Sequence, residues 1–290
     1  MNAVIEDYIA WCLDRPGVSR NVESADARIH YLEWPGPPQA PTVILLHGFI
    51  GHAHWWDFVA PALAEDYRVI ALDLSGMGDS GHRAAYPLEV RAQEVSGAIR
   101  QLCSGPIILV GHSFGGRCAI LTAQAHAELV RQLIVIDSRV SFPEPGRQRV
   151  FAGNTAIGKK RYTDFAHAKS RFRLMPDEPG VHPTILDHIS GHSLKQDGDA
   201  WVWKFDGAVL ERGPKPEISD ARALPLLTMP MDYVCGEASL VVNREHALQV
   251  AATAPKSRGP IVIPHAHHHL PIGQPVALTS VLRALLAVRR

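Results

Sequence analysis

Hydrophobic positions along this chain gather in short runs rather than long stripes. Thr42–Leu46, Arg68–Leu72, Ile107–Val110 and Leu133–Ile136 are nearly continuous in aliphatic residues, the pattern of strands covered on both faces of a parallel sheet. Between them, residues 54–65, 88–103 and 115–128 read as helices. The order is therefore strand, helix, strand, helix, which predicts an open α/β sheet. Right-handed crossovers bring all the strand C-termini of such a sheet to one edge. Upstream, residues 3–13 read as an amphipathic helix and Ala27–Trp34 as a strand at an antiparallel edge. Downstream, Leu226–Cys235 and Ile261–Ile263 read as strands, with helices starting near Val241 and Gln274, so the core resumes there.

The rhythm breaks after Ile136. Residues 141–222 contain several prolines, a basic stretch (Lys159, Lys160, Arg161, then Lys169, Arg171 and Arg173) and aromatics ending in Trp201 and Trp203. This segment reads as a mostly helical insertion, giving a core over 1–140, an insertion over 141–222 and the rest of the core over 223–290. The chain contains no internal repeat and no low-complexity tract.

Composition narrows the partners. With 29 basic and 29 acidic residues in 290, no charge imbalance draws the chain to nucleic acid or to an anionic membrane surface. No apolar run approaches the roughly 20 residues that span a bilayer, and the N-terminal stretch lacks the basic region and small-residue site of a signal peptide. Cys12, Cys103, Cys118 and Cys235 are scattered and form no C-x-x-C pair, which argues against a thiol redox motif or a structural zinc site. These features predict a reduced, cytoplasmic protein with neither a nucleic-acid nor a membrane partner.

The chemistry concentrates in three places. Gly111-His112-Ser113-Phe114-Gly115-Gly116 follows the strand ending at Val110 and opens a helix, the strand, sharp turn and helix of a nucleophile elbow. Glycines two residues either side of Ser113 avoid side chains that would crowd the neighbouring strand and helix. Acyl transfer also needs backbone N–H groups aimed at the developing oxyanion. The N–H of Phe114 at the helix start can supply one; that of Phe49, in the loop His47-Gly48-Phe49 after the third strand, can supply the other. The side chain of His47 reads as satisfying local loop backbone. Lastly, Ile261–Ile263 leads into Pro264-His265-Ala266-His267-His268-His269-Leu270, so a histidine after the last strand can reach the top of the sheet. A histidine-rich tract is also a metal-binding pattern, but no carboxylate accompanies this one and the elbow already calls for a histidine here. No metal and no cofactor are expected.

With these residues in place, the chain resembles the α/β-hydrolase family over nearly its whole length. His47-Gly48-Phe49, DLSGMGDSG at 73–81, GHSFGG at 111–116 and the C-terminal AHHHLPIGQP all look like family signatures. The resemblance implies a mostly parallel eight-stranded sheet with a helical cap inserted after the sixth strand. It selects His268 as the base, seven residues ahead of Pro275, and leaves His267 and His269 as packing or lining neighbours. It implies that Asp73 and Asp79 fix turns near the site.

The family's usual acid, three residues after the glycine closing the seventh strand, would fall at Ser239 counting from Gly236. Serine cannot hold an imidazolium by charge. Asp137, directly after the strand Leu133–Ile136, stands where some members, notably haloalkane dehalogenases, carry their acid, and it is the favoured residue; Glu237 and then Asp232 are the alternatives. Trp55, Trp56, Phe142, Trp201 and Trp203 are available to line a pocket, though large aromatics mostly serve cores. The expected activity is hydrolysis of an ester-like bond through an acyl-enzyme on Ser113, most simply as a carboxylesterase. C–C hydrolase, thioesterase, acyltransferase and peroxidase-like chemistries share these residues. The non-matching Ser239 also keeps open a weakly catalytic ligand-binding module.

Overall fold

The computed structural model of the chain describes residues 2–142, 158, 160–210 and 219–287. Residues 143–157 and 211–218 of the expected insertion, and Lys159 of its basic stretch, lie outside the described residues.

The chain opens with α1 (Asn2–Leu13) and a hairpin, β1 (Val18–Ser24) and β2 (Ala27–Trp34). There follow β3 (Thr42–Leu46), α2 (Ala60–Leu63), β4 (Arg68–Leu72), α3 (Leu88–Leu102), β5 (Ile107–His112), α4 (Phe114–Ala125) and β6 (Val130–Ile136). The segment after β6 carries β7 (Arg161–Tyr162), α5 (Phe165–Ser170), α6 (Pro183–His192), β8 (Leu194–Asp197) and β9 (Ala200–Trp203). The core resumes with α7 (Asp220–Ala223), β10 (Met231–Gly236), α8 (Arg244–Thr253), β11 (Ser257–Ile263), α9 (Leu270–Gly273) and α10 (Pro275–Ala287).

Eight strands form one sheet in the order β1-β2-β4-β3-β5-β6-β10-β11. From β4 to β11 all pairings are parallel, while β1–β2 and β2–β4 are antiparallel. The sheet buries apolar side chains on both faces. One core, through Leu46, Leu109, Leu133 and Tyr233, packs under α3, α4 and α8; the other, through Val43, Leu45, Val110 and Ile134, packs under the Ala53–Trp56 turn, α2 and α10. The buried strands thus match their unbroken apolar runs: all six residues of β5 are buried.

Strand order reverses between β3 and β5. The chain steps from β3 to β4 on one side and returns to β5 on the other. Crevices at the C-terminal ends of strands flanking such a switch point are where open α/β sheets bind ligands, and the Phe49 and Ser113 loops both start there. A wide surface depression lined by residues 35–42 and 101–107 lies at the opposite, N-terminal ends of β3 and β5 and holds none of the candidate groups.

Four features differ from the expected ones. β1 supplies the true sheet edge, so β2 is the second strand; the charged and polar run SRNVES of β1 is mostly exposed and shows no alternation. The helix expected over 54–65 breaks into a 3-10 turn, Ala53–Trp56, and the short α2, whose start is set by Pro61, since proline lacks the N–H a continuing helix needs. The strand expected from Leu226 begins only at Met231, because residues 224–226 form a 3-10 turn around Pro225. The inserted segment contains helices α5 and α6, and in addition β7, β9 and β8 join as a three-stranded antiparallel sheet. β9 is Ala-Trp-Val-Trp, strand-favouring residues, and the β8–β9 turn passes through Gly198 at φ +62°.

The elbow is possible only because backbone approaches backbone. A Cβ on Gly111 would lie 2.4 Å from the Gly115 carbonyl oxygen, and one on Gly115 2.4 Å from that of His47. Gly259, in β11, has nothing within 4 Å of such a Cβ. Gly115→Ala should therefore destabilise the fold by about 1–3 kcal/mol or more in urea unfolding, whereas Gly259→Ala should fall within about 0.5 kcal/mol of wild type.

Candidate active site

Ser113 sits between β5 and α4 with φ 53° and ψ −117°, outside the conformations side chains ordinarily allow. Its N–H donates to the Ile136 carbonyl at 2.8 Å, and its own carbonyl accepts from Gly116 N–H at 3.0 Å. The bend is thereby tied to β6 on one side and to the first turn of α4 on the other, and Ser113 itself is half-buried.

His268 reaches this bend from the loop after β11. Its Nε2 lies 2.9 Å from Ser113 Oγ, and its Nδ1 lies 2.6 Å from Asp137 Oδ2. A carboxylate only accepts, so Nδ1 carries the ring proton and Nε2 presents a lone pair to the serine hydroxyl. Both partners are buried, with side-chain exposures of 5% and 0%. In a site this dry, the charge of an imidazolium formed at His268 has one obvious counterion.

Asp137 follows β6 directly, in the left-handed region at φ 44°. Its N–H donates to Val234 O at 2.8 Å, its Oδ1 accepts from Gly236 N–H at 3.1 Å, and its Oδ2 accepts from Ser239 Oγ at 2.6 Å. Neighbouring strands explain the arrangement. β6 and β10 pair directly, so a residue just past β6 and one just past β10 face the same histidine. Ser239, standing where the family resemblance would put the acid, instead donates to Asp137.

The two alternatives lie elsewhere. Glu237 is exposed and accepts from His265 N–H at 2.9 Å. Asp232 is buried within β10, held by Gln132 Nε2 and Arg258 Nε, each at 2.9 Å.

Phe49 and Phe114 face one another, ring centroids 5.5 Å apart and edge to face. Among the described residues neither backbone N–H has a hydrogen-bond partner. Both belong to loops at the C-terminal ends of the central strands, Phe114 at the start of the twelve-residue α4. The two residues expected to supply oxyanion donors thus lie at neighbouring strand ends, on either side of the bend at Ser113.

Of the other histidines, His47 donates from Nδ1 to Gly48 O at 2.7 Å and accepts Leu74 N–H at 3.1 Å, which braces the Phe49 loop. His265 is exposed. His269 donates from Nε2 to Pro176 O at 3.0 Å, and its N–H goes to Glu178 at 2.9 Å, so the inserted segment is fastened beside His268. Asp73 accepts from Ala53 N–H, Asp79 N–H and His30 Nδ1. Asp79 pairs with Lys204 at 2.6 Å. Trp55 and Trp56 are buried, Trp203 packs in the small sheet of the insertion with Trp201 beside it, and Phe142 is half-buried near His246.

Two contributors escaped the sequence reading. His112, the residue before Ser113, is buried and donates from Nε2 to the His268 carbonyl at 2.8 Å, clamping the histidine loop onto the elbow. Burial, followed by the charges His268 and His269 can carry, holds its pKa well below the usual value, so it stays neutral. Ser239 is the other, holding Asp137 by hydrogen bond. The signal for both was in the sequence, in the motif and in the family position, but neither chemistry demands that residue type.

The chain belongs to the alpha/beta hydrolase family: the family's model matches residues 43–281. Among curated proteins it is 28% identical to an esterase of Mycobacterium tuberculosis, covering 90% of this chain and 87% of that protein. It is 29% identical to an sn-1-specific diacylglycerol lipase of Mus musculus, covering 96% and 92%. Among solved structures, an E-2-(acetamidomethylene)succinate hydrolase superposes with a TM-score of 0.78 at 20% identity, covering 93% of this chain and 99% of that one. The thioesterase domain from the curacin biosynthetic pathway gives 0.75 at 23%, covering 92% and 99%. The protein is accordingly a hydrolase on an α/β-hydrolase fold. No helix among the described residues is long and apolar enough to cross a membrane.

The hydrogen bonds around Asp137 define a swap experiment. Asp137→Asn should lower kcat for hydrolysis by on the order of 10³–10⁴, because an amide in this place favours the wrong tautomer of the histidine. Adding Ser239→Asp to that variant should restore at least a tenth of the lost rate, by returning a carboxylate from the β10 side. Unchanged turnover in Asp137→Asn would remove Asp137 from the relay.

Proposed function

We propose that the protein is a serine hydrolase that cleaves the ester bond of a small molecule through an acyl-enzyme on Ser113. The observation that carries this reading is the unbroken relay of Ser113 Oγ, His268 and Asp137, with contacts of 2.9 and 2.6 Å.

In the first half of the reaction, His268 Nε2 takes the hydroxyl proton as Ser113 Oγ attacks the carbonyl carbon. The oxyanion is held by the N–H groups of Phe49 and Phe114. The tetrahedral intermediate collapses, the C–O bond to the alcohol breaks, and His268 returns the proton to the departing alkoxide. In the second half, His268 takes a proton from water, the hydroxide attacks the acyl carbon, and the carboxylic acid leaves as Ser113 regains its proton. Asp137 accepts from Nδ1 throughout and stabilises the imidazolium. No step calls for a metal or cofactor.

An ester is favoured over the alternatives by the names of its relatives, an esterase and a lipase. Thioester cleavage would use the same residues, and one structural neighbour is a thioesterase domain. Human epoxide hydrolase 4 is also similar, 32% identical over 70% of this chain, but passage through an alkyl-enzyme ester requires a carboxylate nucleophile and Ser113 occupies the elbow. The bond from His268 Nδ1 to Asp137 favours this reading over a weakly catalytic binding module, which rests on the missing carboxylate at Ser239. The segment between β6 and β10 serves as the cap in this reading, since Pro176 and Glu178 contact His269 beside the base. All four cysteines are free thiols, which suits a reducing cytoplasmic setting.

A fluorophosphonate probe tests the proposal, because only an activated serine attacks its phosphorus. Wild type should be labelled to one equivalent and Ser113→Ala not at all. An unlabelled wild type, or a Ser113→Ala variant labelled as fast as wild type, would overturn the assignment.

A further inference from the structure

Away from Ser113, three histidines from two parts of the chain converge. His54 lies on the Ala53–Trp56 turn of the core, and His188 and His192 lie four residues apart on one face of α6 in the inserted segment. One ring nitrogen of each lies within 4.8 Å of the others. The His54 and His192 rings stack at 3.6 Å, and those of His188 and His192 lie 4.5 Å apart. Asp57 completes the group: its Oδ2 accepts from His54 Nδ1 at 2.8 Å and from His188 Nε2 at 2.7 Å.

We propose that His54, His188 and His192 form a binding site for a divalent transition-metal ion of the zinc class, with Asp57 as the carboxylate behind two of the rings. The donor set and its surroundings both favour an ion. Imidazole nitrogens are the commonest neutral ligands for zinc, at about 2.0–2.1 Å, so two of them on a tetrahedral ion sit roughly 3.4 Å apart; closing from the observed spacing takes side-chain movements of about an ångström. Histidines at i and i+4 of a helix present both rings to one ion. A carboxylate accepting the second N–H of a ligating histidine fixes its tautomer and raises its basicity; Asp57 Oδ2 bonds Nδ1 of His54 and Nε2 of His188, which leaves His54 Nε2 and His188 Nδ1 for an ion.

Without an ion the cluster is poorly balanced. Asp57 has a side-chain exposure of only 9%, its Oδ1 is buried with no hydrogen-bond partner, and among the described residues its ion pairs are with histidines alone. Protonating all three rings would stack like charges at van der Waals distance. A divalent ion supplies the positive charge without requiring three imidazolium groups side by side.

The other histidine group, His112, His268 and His269, is a different case, because both nitrogens of His268 are engaged by Ser113 and Asp137. The proposed ion takes no part in ester hydrolysis and stands apart from that reading; it pins α6 of the insertion to the core.

Metal-free wild-type protein, titrated with Zn²⁺ against a chromophoric chelator and with Co²⁺ by visible absorption, provides the test. Expected are one Zn²⁺ equivalent with Kd below about 10 µM, an intense tetrahedral Co²⁺ spectrum, and a rise in Tm on adding Zn²⁺. His188→Gln/His192→Gln should weaken binding at least 100-fold and Asp57→Asn about 10–100-fold, while His268→Ala should keep the equivalent. Circular dichroism checks that each variant is folded; should the double variant unfold, the wild-type Co²⁺ spectrum and the His268→Ala titration decide. No equivalent in wild type, wild-type binding by the double variant, or loss of the equivalent in His268→Ala would overturn the site.

Discussion

The arrangement at the top of the sheet depends on the backbone bend at Ser113. A residue at φ 53° and ψ −117° carries strain of order 1–3 kcal/mol, and it persists because its surroundings permit no relaxed alternative. Its N–H is bound to β6, its carbonyl to α4, and the glycines on either side let β5, α4 and the His47 loop meet at backbone contact. The hydroxyl is thereby left half-buried and within 2.9 Å of His268 Nε2.

The same constraint spreads to the rest of the relay. The strand that receives the Ser113 N–H ends one residue before Asp137, which is itself held at positive φ and bonded to β10. The loop that brings His268 is held from beneath by His112, next to Ser113 in the chain. Three side chains from distant parts of the sequence are thus fixed relative to one another by backbone hydrogen bonds between adjacent strand ends, and little reorganisation remains for the proposed reaction. Asp137 stands just past β6, while the residue just past β10, Ser239, bonds the same carboxylate. What the geometry requires is an oxygen at Nδ1, and Ser239 has become a donor to that oxygen.

The central strands were legible because burial on both faces leaves an unbroken apolar run, and β3, β4, α3 and β5 start at the expected residues. Ser113 and the Phe49 loop were legible because a tight bend demands glycine at fixed spacing. Legibility fell where tertiary contacts decide. β1 is polar and pairs through its backbone, so nothing in its side chains announces a strand. The small sheet of the insertion is two to four residues per strand, too short for a period to register. His268 could be separated from His265, His267 and His269 only by resemblance, since four histidines in five positions carry no internal distinction. The contacts of His112 with the His268 loop and of Asp57 with His188 could not be read from sequence, because those partners lie more than a hundred residues away.

The most direct measurement is intact-mass spectrometry of the protein quenched with acid during turnover of a slowly deacylating aryl ester, followed by peptide mapping. The account predicts a mass increase equal to one acyl group, located on the peptide containing Ser113, that decays as substrate is exhausted. Turnover with no covalent adduct, or with the acyl group on another residue, would contradict it.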